Sequence, residues 1–573
     1  MNNIRLEGDR KESVEFINGI YLGIPDNELP VEEIVFSIEG RYNKETEDKL
    51  REGLGIKSKR FTDKTLLELL FKSVDKALED KRDLIKGRSL VIKVATESGI
   101  DLSQSLSNFL AYYIENKYGN RVLFASEEKS ACVSGVKSLL ELANSYKYSS
   151  IIGVVATVDK AFYSKGSTAD ATGGAGSVTL LLSSNGSEDD IKIYRLYGSK
   201  TETFFDFYKP VRSVNNHNKG IAEVNKYPIV YGTFSEYVYL FLAYKAFRDL
   251  LDKMHIDADN MDEFFKRFLI VPHLPYPNMS EKMLAYLVRH FARVDKDRKE
   301  EIRRRFNIPE EDLRGFESHE DLLRFMLNLG NVLIAVKDSI KYYSNDYKSV
   351  KAQILDLTKS IVIRYGNKAV YNQDFYEKEI RTRAEKASNS DELYEAVEKI
   401  YKDIVESFFE EDNKIIRSIR KSDGFKELKR MLHLEDIKYL SSIVGNIYTG
   451  SVFLGLSSLL AKAYENNYTE ELSNKKILLI GYGSGAEAVV GLVEVPRKAA
   501  ERFGSYLSKV IKDIENNKRV ITAEEYNSYR DVSDSNPLKN LITAMYTLRR
   551  ETDTREHSNL EKSIANNPNR NRG

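Results

Sequence analysis

The chain has a single cysteine and no tryptophan in 573 residues, and its 87 lysines and arginines are matched by 87 aspartates and glutamates. One cysteine excludes an intrachain disulfide and any multi-cysteine metal site, and no metal is expected. Balanced charge gives no global field, so neither nucleic acid nor a membrane is an expected partner. No uninterrupted apolar run is long enough to cross a bilayer, and the N-terminus lacks the basic-then-apolar layout of a signal peptide. The expectation is a soluble, cytoplasmic protein. Nothing in the sequence explains why tryptophan is absent beside 35 tyrosines. What is present is an ordinary 42% of hydrophobic residues, enough for a sizeable core.

Three stretches differ in pattern. Residues 1–282 alternate strand and helix: strands are expected over 15–22, 89–95, 121–125, 150–157, 177–182 and 191–196, and helices over 64–79 and 103–117 among others. That alternation argues for a largely buried α/β sheet. Residues 283–440 are charged and strongly helical, with Leu393, Val397, Ile400, Tyr401, Ile404, Val405 and Phe408 on one stripe. They read either as a helical insertion packed on the main domain or as an association surface. From 441 to 550 the α/β character returns, with a strand over 476–480. Residues 551–573 are polar, lack periodicity and read as a disordered tail.

The lone cysteine, Cys132, lies in Lys129-Ser130-Ala131-Cys132, between a strand pattern and an amphipathic helical one carrying Val136, Leu139, Leu140 and Ala143. A helix N-terminus favours thiolate, the nucleophilic form of cysteine; a buried inert thiol is the plainer alternative. Glu97 follows the apolar strand 89–95. At such a strand end it is either an acid–base group raised by partial burial or an exposed loop carboxylate. His273, within Val271-Pro272-His273-Leu274-Pro275, is rigidly placed and suits either catalysis or a satisfied core position. Gly481, Gly483 and Ala486 after the strand 476–480 have dinucleotide-fingerprint spacing. The charged helix that follows supplies no second strand with an acidic end, which argues against that reading. Ser484 lacks the glycine two places earlier that a nucleophile elbow requires.

In this order the segments resemble the 3-hydroxy-3-methylglutaryl-CoA synthase family of the thiolase superfamily, over about 1–282 and 441–550. The resemblance is carried by Ala95-Thr96-Glu97-Ser98, Lys129–Cys132, Thr172–Gly176, Asp206-Phe207-Tyr208-Lys209-Pro210, Tyr227–Val230 with Gly232 and Ser235, Gly445–Ser451 and Tyr482–Gly485. Thr172–Gly176 and Asp206–Pro210 are closer to the eukaryotic branch. The resemblance implies an α/β, thiolase-like layered αβαβα fold, here with a charged helical insertion. It implies condensation of acetyl-CoA with acetoacetyl-CoA in the mevalonate pathway, with CoA thioesters as substrates and no cofactor. Cys132 would carry the acetyl group, Glu97 would act after acylation as base, and His273 would orient and polarise the acceptor ketone. Tyr163, Thr172, Ser235, Lys282, Asn446, Tyr482 and Ser484 would contact substrate, and a homodimer is expected.

The chain also departs from the family. After the histidine the family carries two lysines near the CoA phosphates; here one position is Asn278 and the other Lys282. Tyr231 replaces an aspartate, and the block around 44–61 matches poorly. Asn278 leaves open a condensing enzyme that takes acyl groups from a carrier protein. A non-catalytic scaffold with the same fold is the alternative of a different class, and the intact Glu97, Cys132 and His273 argue against it.

Overall fold

The computed structural model describes residues 14–552 apart from 102, 146–150, 210–226, 257–259, 296, 343–346 and 535–541. The expected tail, 551–573, lies outside these residues from 553 onward. Nine strands form the main sheet: β1 Val14–Gly23, β2 Ser89–Ala95, β3 Val122–Glu128, β4 Ile151–Lys160, β5 Ala175–Ser183, β6 Ile191–Thr201, β7 Phe268–Pro272, β8 Lys476–Gly483 and β9 Glu487–Glu494. Each expected strand is present, most of them longer than the apolar run that announced it.

The order across the sheet is β7-β8-β9-β6-β1-β5-β4-β2-β3. The β1–β6 pair is an antiparallel seam. Outward from it, β1 and β6 each meet an antiparallel partner, β5 or β9. Beyond that come another antiparallel pair, β5–β4 or β9–β8, and then a parallel one, β4–β2 or β8–β7. Only β3, parallel to β2, lacks a counterpart. The two halves of the sheet thus repeat one strand plan about the seam. In each half the parallel strands end on the same side, which gathers their carboxyl ends.

Helices α1 Leu66–Asp80 and α2 Leu106–Tyr118 cover the N-terminal half of the sheet. Thr65 and Glu68 close a reciprocal capping box at the start of α1, satisfying two otherwise orphaned N–H groups. Helix α3, Ser134–Ser145, lies between the halves. A Cβ on Gly153 of β4 would stand 2.6 Å from Leu142, and one on Gly491 of β9 would stand 3.0 Å from Leu140. Glycine on both sides lets the two sheet faces close on one helix. Helix α4, Gly232–Lys253, covers the far face of the C-terminal half against β6 and β9. The layers are therefore αβαβα.

The expected helical segment is present but is not detachable. It includes α5 Met279–Val294, α6 His319–Tyr342 and α7 Ser407–Lys421, the last continuing a helical run from Ser390. The stripe read from the sequence is the buried face: Leu393, Val397, Ile400, Ile404, Val405 and Phe408 belong to the same apolar core as the strands. A buried polar knot adds to it. Arg289 of α5 pairs with Asp412 of α7 at 2.6 Å and with Glu311. His319 Nε2 lies 2.7 Å from Asp412, and Tyr237 of α4 donates to Asp412 at 3.0 Å. The Arg289 guanidinium holds Asp412 far below the ordinary carboxylate range despite its burial. Buried charges of this kind are tolerated only when paired, so the segment and α4 must fold together. Of the two readings of this segment, the structure shows the one packed on the main domain, sharing its core.

Helices α8 Leu434–Val444, α9 Ser451–Glu465, α10 Arg497–Asn516 and α11 Ala523–Asp534 follow. Strand β8 turns directly into antiparallel β9 rather than into a helix, which disposes of the dinucleotide reading of Gly481–Ala486. Among the described residues no helix is long and apolar enough to cross a membrane.

Candidate active site

Two parallel strands build the first half of the site. Register pairs Ala95 of β2 with Thr157 of β4, so the next residues outward bring Glu97 beside Asp159. Asp159 is fully buried and turns inward. Its Oδ1 accepts from Thr96 Oγ1 at 3.1 Å, the Glu97 backbone N–H at 2.7 Å and Ser98 Oγ at 2.9 Å. Its Oδ2 accepts from the Thr449 N–H at 3.1 Å and Thr449 Oγ1 at 2.5 Å. Burial, reinforced by the neighbouring Glu97 carboxylate, pushes the Asp159 carboxyl up to about 7 despite these donors. Sequence reading missed Asp159, although a carboxylate at a strand's carboxyl end was the signal that found Glu97.

Glu97 turns the other way. Its side chain is 5% exposed, and Oε1 accepts from Cys132 Sγ at 2.7 Å. Cys132 sits in a tight turn just before α3, with Ala131 at φ 51° and the Ser130 N–H donating to Ser134 Oγ at 2.6 Å. A Cβ on Gly483 would stand 2.3 Å from the Ser130 carbonyl, so β8 passes this turn only as glycine. The thiol is raised well above its ordinary value, by burial first and then by the Glu97 carboxylate. The expectation of a thiolate favoured by the helix end is thus corrected. A carboxylate in direct contact outweighs the partial charge of the helix terminus, leaving a protonated thiol hydrogen-bonded to a base.

The walls are aromatic. Tyr163, Tyr448 and Phe207 meet edge to face with centroids 6.1–6.3 Å apart, and Cys132 packs against the cluster. Lys209 Nζ lies over the Tyr448 ring at 4.6 Å and 3.4 Å from Glu97 Oε2. Thr172 and Asn446 join the two halves: the Asn446 N–H donates to the Thr172 carbonyl at 2.8 Å, and the Gly174 N–H donates to the Asn446 carbonyl at 2.9 Å. Asn446 Oδ1 accepts from the Tyr448 N–H and from Ser451 Oγ, so its side-chain oxygen fixes the loop that carries Tyr448.

His273 directly follows β7, buried, with its backbone N–H donating to the Ile480 carbonyl at 2.7 Å and its carbonyl accepting from Tyr239 at 3.1 Å. Burial lowers the imidazole to about 3, so it is neutral, and Nδ1 has no hydrogen-bond partner among the described residues. Tyr239 stacks edge-on against both His273 and Tyr482. Tyr482 donates to Asp206 at 2.7 Å, Ser235 Oγ to the same carboxylate at 3.0 Å and the Gly485 N–H at 3.0 Å; Ser484 also bonds it. Burial raises Asp206. Ser235, Tyr482, Ser484 and His273 therefore form one neighbourhood organised by Asp206 and Tyr239. Neither Asp206 nor Lys209 drew a role from the sequence beyond membership of a matched block.

The two positions expected near the CoA phosphates are both engaged within the protein. Lys282 is paired with Glu236 at 2.7 Å, and among the described residues no hydrogen bond ties it to the Cys132 group. Asn278 is buried at 5% exposed, donates to the carbonyls of Glu52 and Gly53 and accepts from Lys438 at 3.0 Å. It is a packing residue, and an ammonium already stands beside it. Tyr231, in place of the family's aspartate, donates to Asp338 of α6 at 2.8 Å, and Tyr208 bonds the same carboxylate. The helical layer thus supplies an acid beside that block.

The N-terminal profile of hydroxymethylglutaryl-coenzyme A synthase matches residues 29–187 and the C-terminal profile matches 368–543, together more than half of the chain. The chain belongs to this family. It is 28% identical to the hydroxymethylglutaryl-CoA synthase of Haloferax volcanii over 56% of this chain and 67% of that protein. It is 31% identical to synthase B of Dictyostelium discoideum and to the human mitochondrial enzyme, each over 34% of this chain and covering 40% and 37% of them. Among solved structures, MvaS in complex with 3-hydroxy-3-methylglutaryl coenzyme A superposes with a TM-score of 0.56 at 17% identity, over 91% of this chain and 92% of that one. An HMG-CoA synthase complexed with CoA gives 0.53 at 18% identity, over 90% of both chains. These are thiolase-like folds and bear out the layered architecture. The synthase profiles include Glu97, Cys132, Asp159 and Asn446, and the C-terminal one begins inside the helical segment, at 368.

Proposed function

We infer that this synthase condenses acetyl-CoA with acetoacetyl-CoA and water to 3-hydroxy-3-methylglutaryl-CoA, releasing CoA. The observation that carries the reading is the 2.7 Å contact between the Cys132 thiol and Glu97, in a family whose profiles span both residues. Glu97 takes the thiol proton as Sγ attacks the acetyl carbonyl. The proton leaves with the CoA thiol, giving acetyl-Cys132 and an ionised Glu97. Glu97 then removes a methyl proton of the bound acetyl group, and the enolate carbon bonds to the ketone carbon of acetoacetyl-CoA. Neutral His273 offers its free ring edge to that ketone oxygen, and protonated Glu97 returns its proton to the alkoxide. Water cleaves the thioester, regenerating the thiol. Each positioned acid–base group of this kind contributes about 10²–10⁴-fold. Glu97 thus serves acylation as well as the later step to which the sequence confined it.

Tyr163, Thr172, Ser235, Asn446, Tyr482 and Ser484 would enclose the two acyl groups. A homodimer is supported by edge strand β3, where Leu123 and Phe124 are 44% and 51% exposed on a strand open to pairing. The reaction supplies the mevalonate pathway, and a cytoplasmic location fits the absence of a membrane-spanning helix among the described residues. The test is direct. With both thioesters the purified protein should consume the acetoacetyl enolate absorbance, and acetyl-CoA alone should add one acetyl mass to the Cys132 peptide. Cys132→Ser should abolish both; normal turnover in that variant refutes the assignment.

A further inference from the structure

Glu97 stands in an unusual electrostatic position. The groups facing it are the Cys132 thiol, the Lys209 ammonium, the buried Asp159 carboxyl bonded to its own backbone N–H, and the phenols of Tyr163 and Tyr448. Two carboxylates in one buried pocket oppose each other's ionisation, and one of them must be compensated. Asp159 is served by five donors, from Thr96, Glu97, Ser98 and Thr449. The Glu97 carboxylate has the thiol on Oε1 and Lys209 on Oε2. A base that must be anionic at the start of the cycle, yet lies beside a second acid, needs a cation that stays in place.

Lys209 is anchored to do this. Its Nζ is 3.4 Å from Glu97 Oε2 and 3.4 Å from the Glu97 backbone carbonyl, 4.6 Å from the Tyr448 ring centre and 5.7 Å from that of Phe207. The side chain is 30% exposed against 5% for Glu97, so it closes the site from the solvent side. Ring faces attract an ammonium without neutralising it, and a carbonyl accepts its proton without competing for charge. Its ammonium is thereby held against one carboxylate oxygen while the other is left for the thiol.

We propose that Lys209 is a positioning residue of the condensation: it holds Glu97 Oε2 so that Oε1 stays directed at the Cys132 thiol. The inference rests on the reading of Glu97 as the base for Cys132. Without that contact the carboxylate is free to turn away from the thiol, and acylation slows while binding of acetyl-CoA is little changed.

The test is the rate of Cys132 acetylation as a function of acetyl-CoA concentration, followed by the mass of the Cys132 peptide, in the full-length protein and in Lys209→Met, Lys209→Gln and Lys209→Arg. Met and Gln should lower the maximal rate roughly tenfold or more with little change in the half-saturating concentration. Arg should restore the rate, and unfolding midpoints identify any variant that is simply misfolded, leaving the other to be scored. A loss confined to the half-saturating concentration, a wild-type rate in both Met and Gln, or Arg behaving as Met would each overturn the proposal. Glu97→Gln separates the two readings. If it slows acetylation and adding Lys209→Met costs nothing further, Lys209 acts through Glu97; if Glu97→Gln acetylates at the wild-type rate, the reading of Glu97 fails and that of Lys209 with it.

Discussion

Replacing Asn278 with lysine supplies the residue that the family resemblance leads one to expect at this position, and by sequence alone it should tighten CoA binding. The structure reverses that expectation. The Asn278 side chain is buried, donates to the carbonyls of Glu52 and Gly53 and accepts the Lys438 ammonium at 3.0 Å. Lys438 also pairs with Glu281 and Glu435, each at 2.9 Å. Lysine there forfeits two amide hydrogen bonds, about 1 kcal/mol each. It also sets a second ammonium beside Lys438, costing about 4 kcal/mol at 4 Å in a medium of effective dielectric 20. Glu281 and Glu435 offset part of the repulsion, so the net loss should be roughly 3–5 kcal/mol. Asn278→Ala, which brings no charge, should lose about 2 kcal/mol. The assay is the urea midpoint of both variants beside KM for acetoacetyl-CoA. Asn278→Lys should unfold at clearly lower urea than Asn278→Ala and show no fall in KM. Wild-type stability in the lysine variant, with a tenfold lower KM, would falsify the assignment of Asn278 to packing.

Other outcomes follow from the same geometry. His273→Ala should leave acetylation of Cys132 intact and slow condensation by about 10²-fold or more, seen as acetyl-enzyme accumulating in the presence of acetoacetyl-CoA. Asp159 is an acid whose folded value, about 7, lies above its ordinary 3.8. The native state therefore holds an extra proton between those values, and stability from this group falls as pH rises from about 4 to 7. Asp159→Asn removes that slope, so the stability of wild type relative to the variant should drop by about 4 kcal/mol across the window, at 1.36 kcal/mol per unit; parallel urea-midpoint profiles would refute it. Deleting 300–430 should give an insoluble or molten product, because it takes Asp412 away from buried Arg289. A folded deletion variant with measurable turnover would show the segment to be separable after all.

How far the sequence could be read depended on whether a contact was local or crossed the sheet. Strands β2, β4 and β5 were legible because burial on both faces makes them continuous apolar runs. Strand ends were not, since Glu127 and Glu128 of β3 and Asp159 and Lys160 of β4 keep pairing after the apolar run stops. Those polar ends are where the chemistry lies. Glu97 could be found because a motif surrounds it, whereas Asp159 becomes visible only once β2 and β4 are known to be parallel neighbours in this register. The same limit misled the reading of Cys132. Its helix was local and correctly placed, but the group that governs its proton sits 35 residues earlier, just beyond the end of β2. The helical layer repeats the lesson on a larger scale. Its apolar stripe was legible, but the charges around it looked solvated, and nothing in the local pattern distinguishes Arg289 and Asp412, which are buried and paired across helices, from their exposed neighbours. Composition therefore marked a boundary at 283 where the core has none. A contact map of the two sheet halves, more than any longer motif, is what turns this sequence into a site.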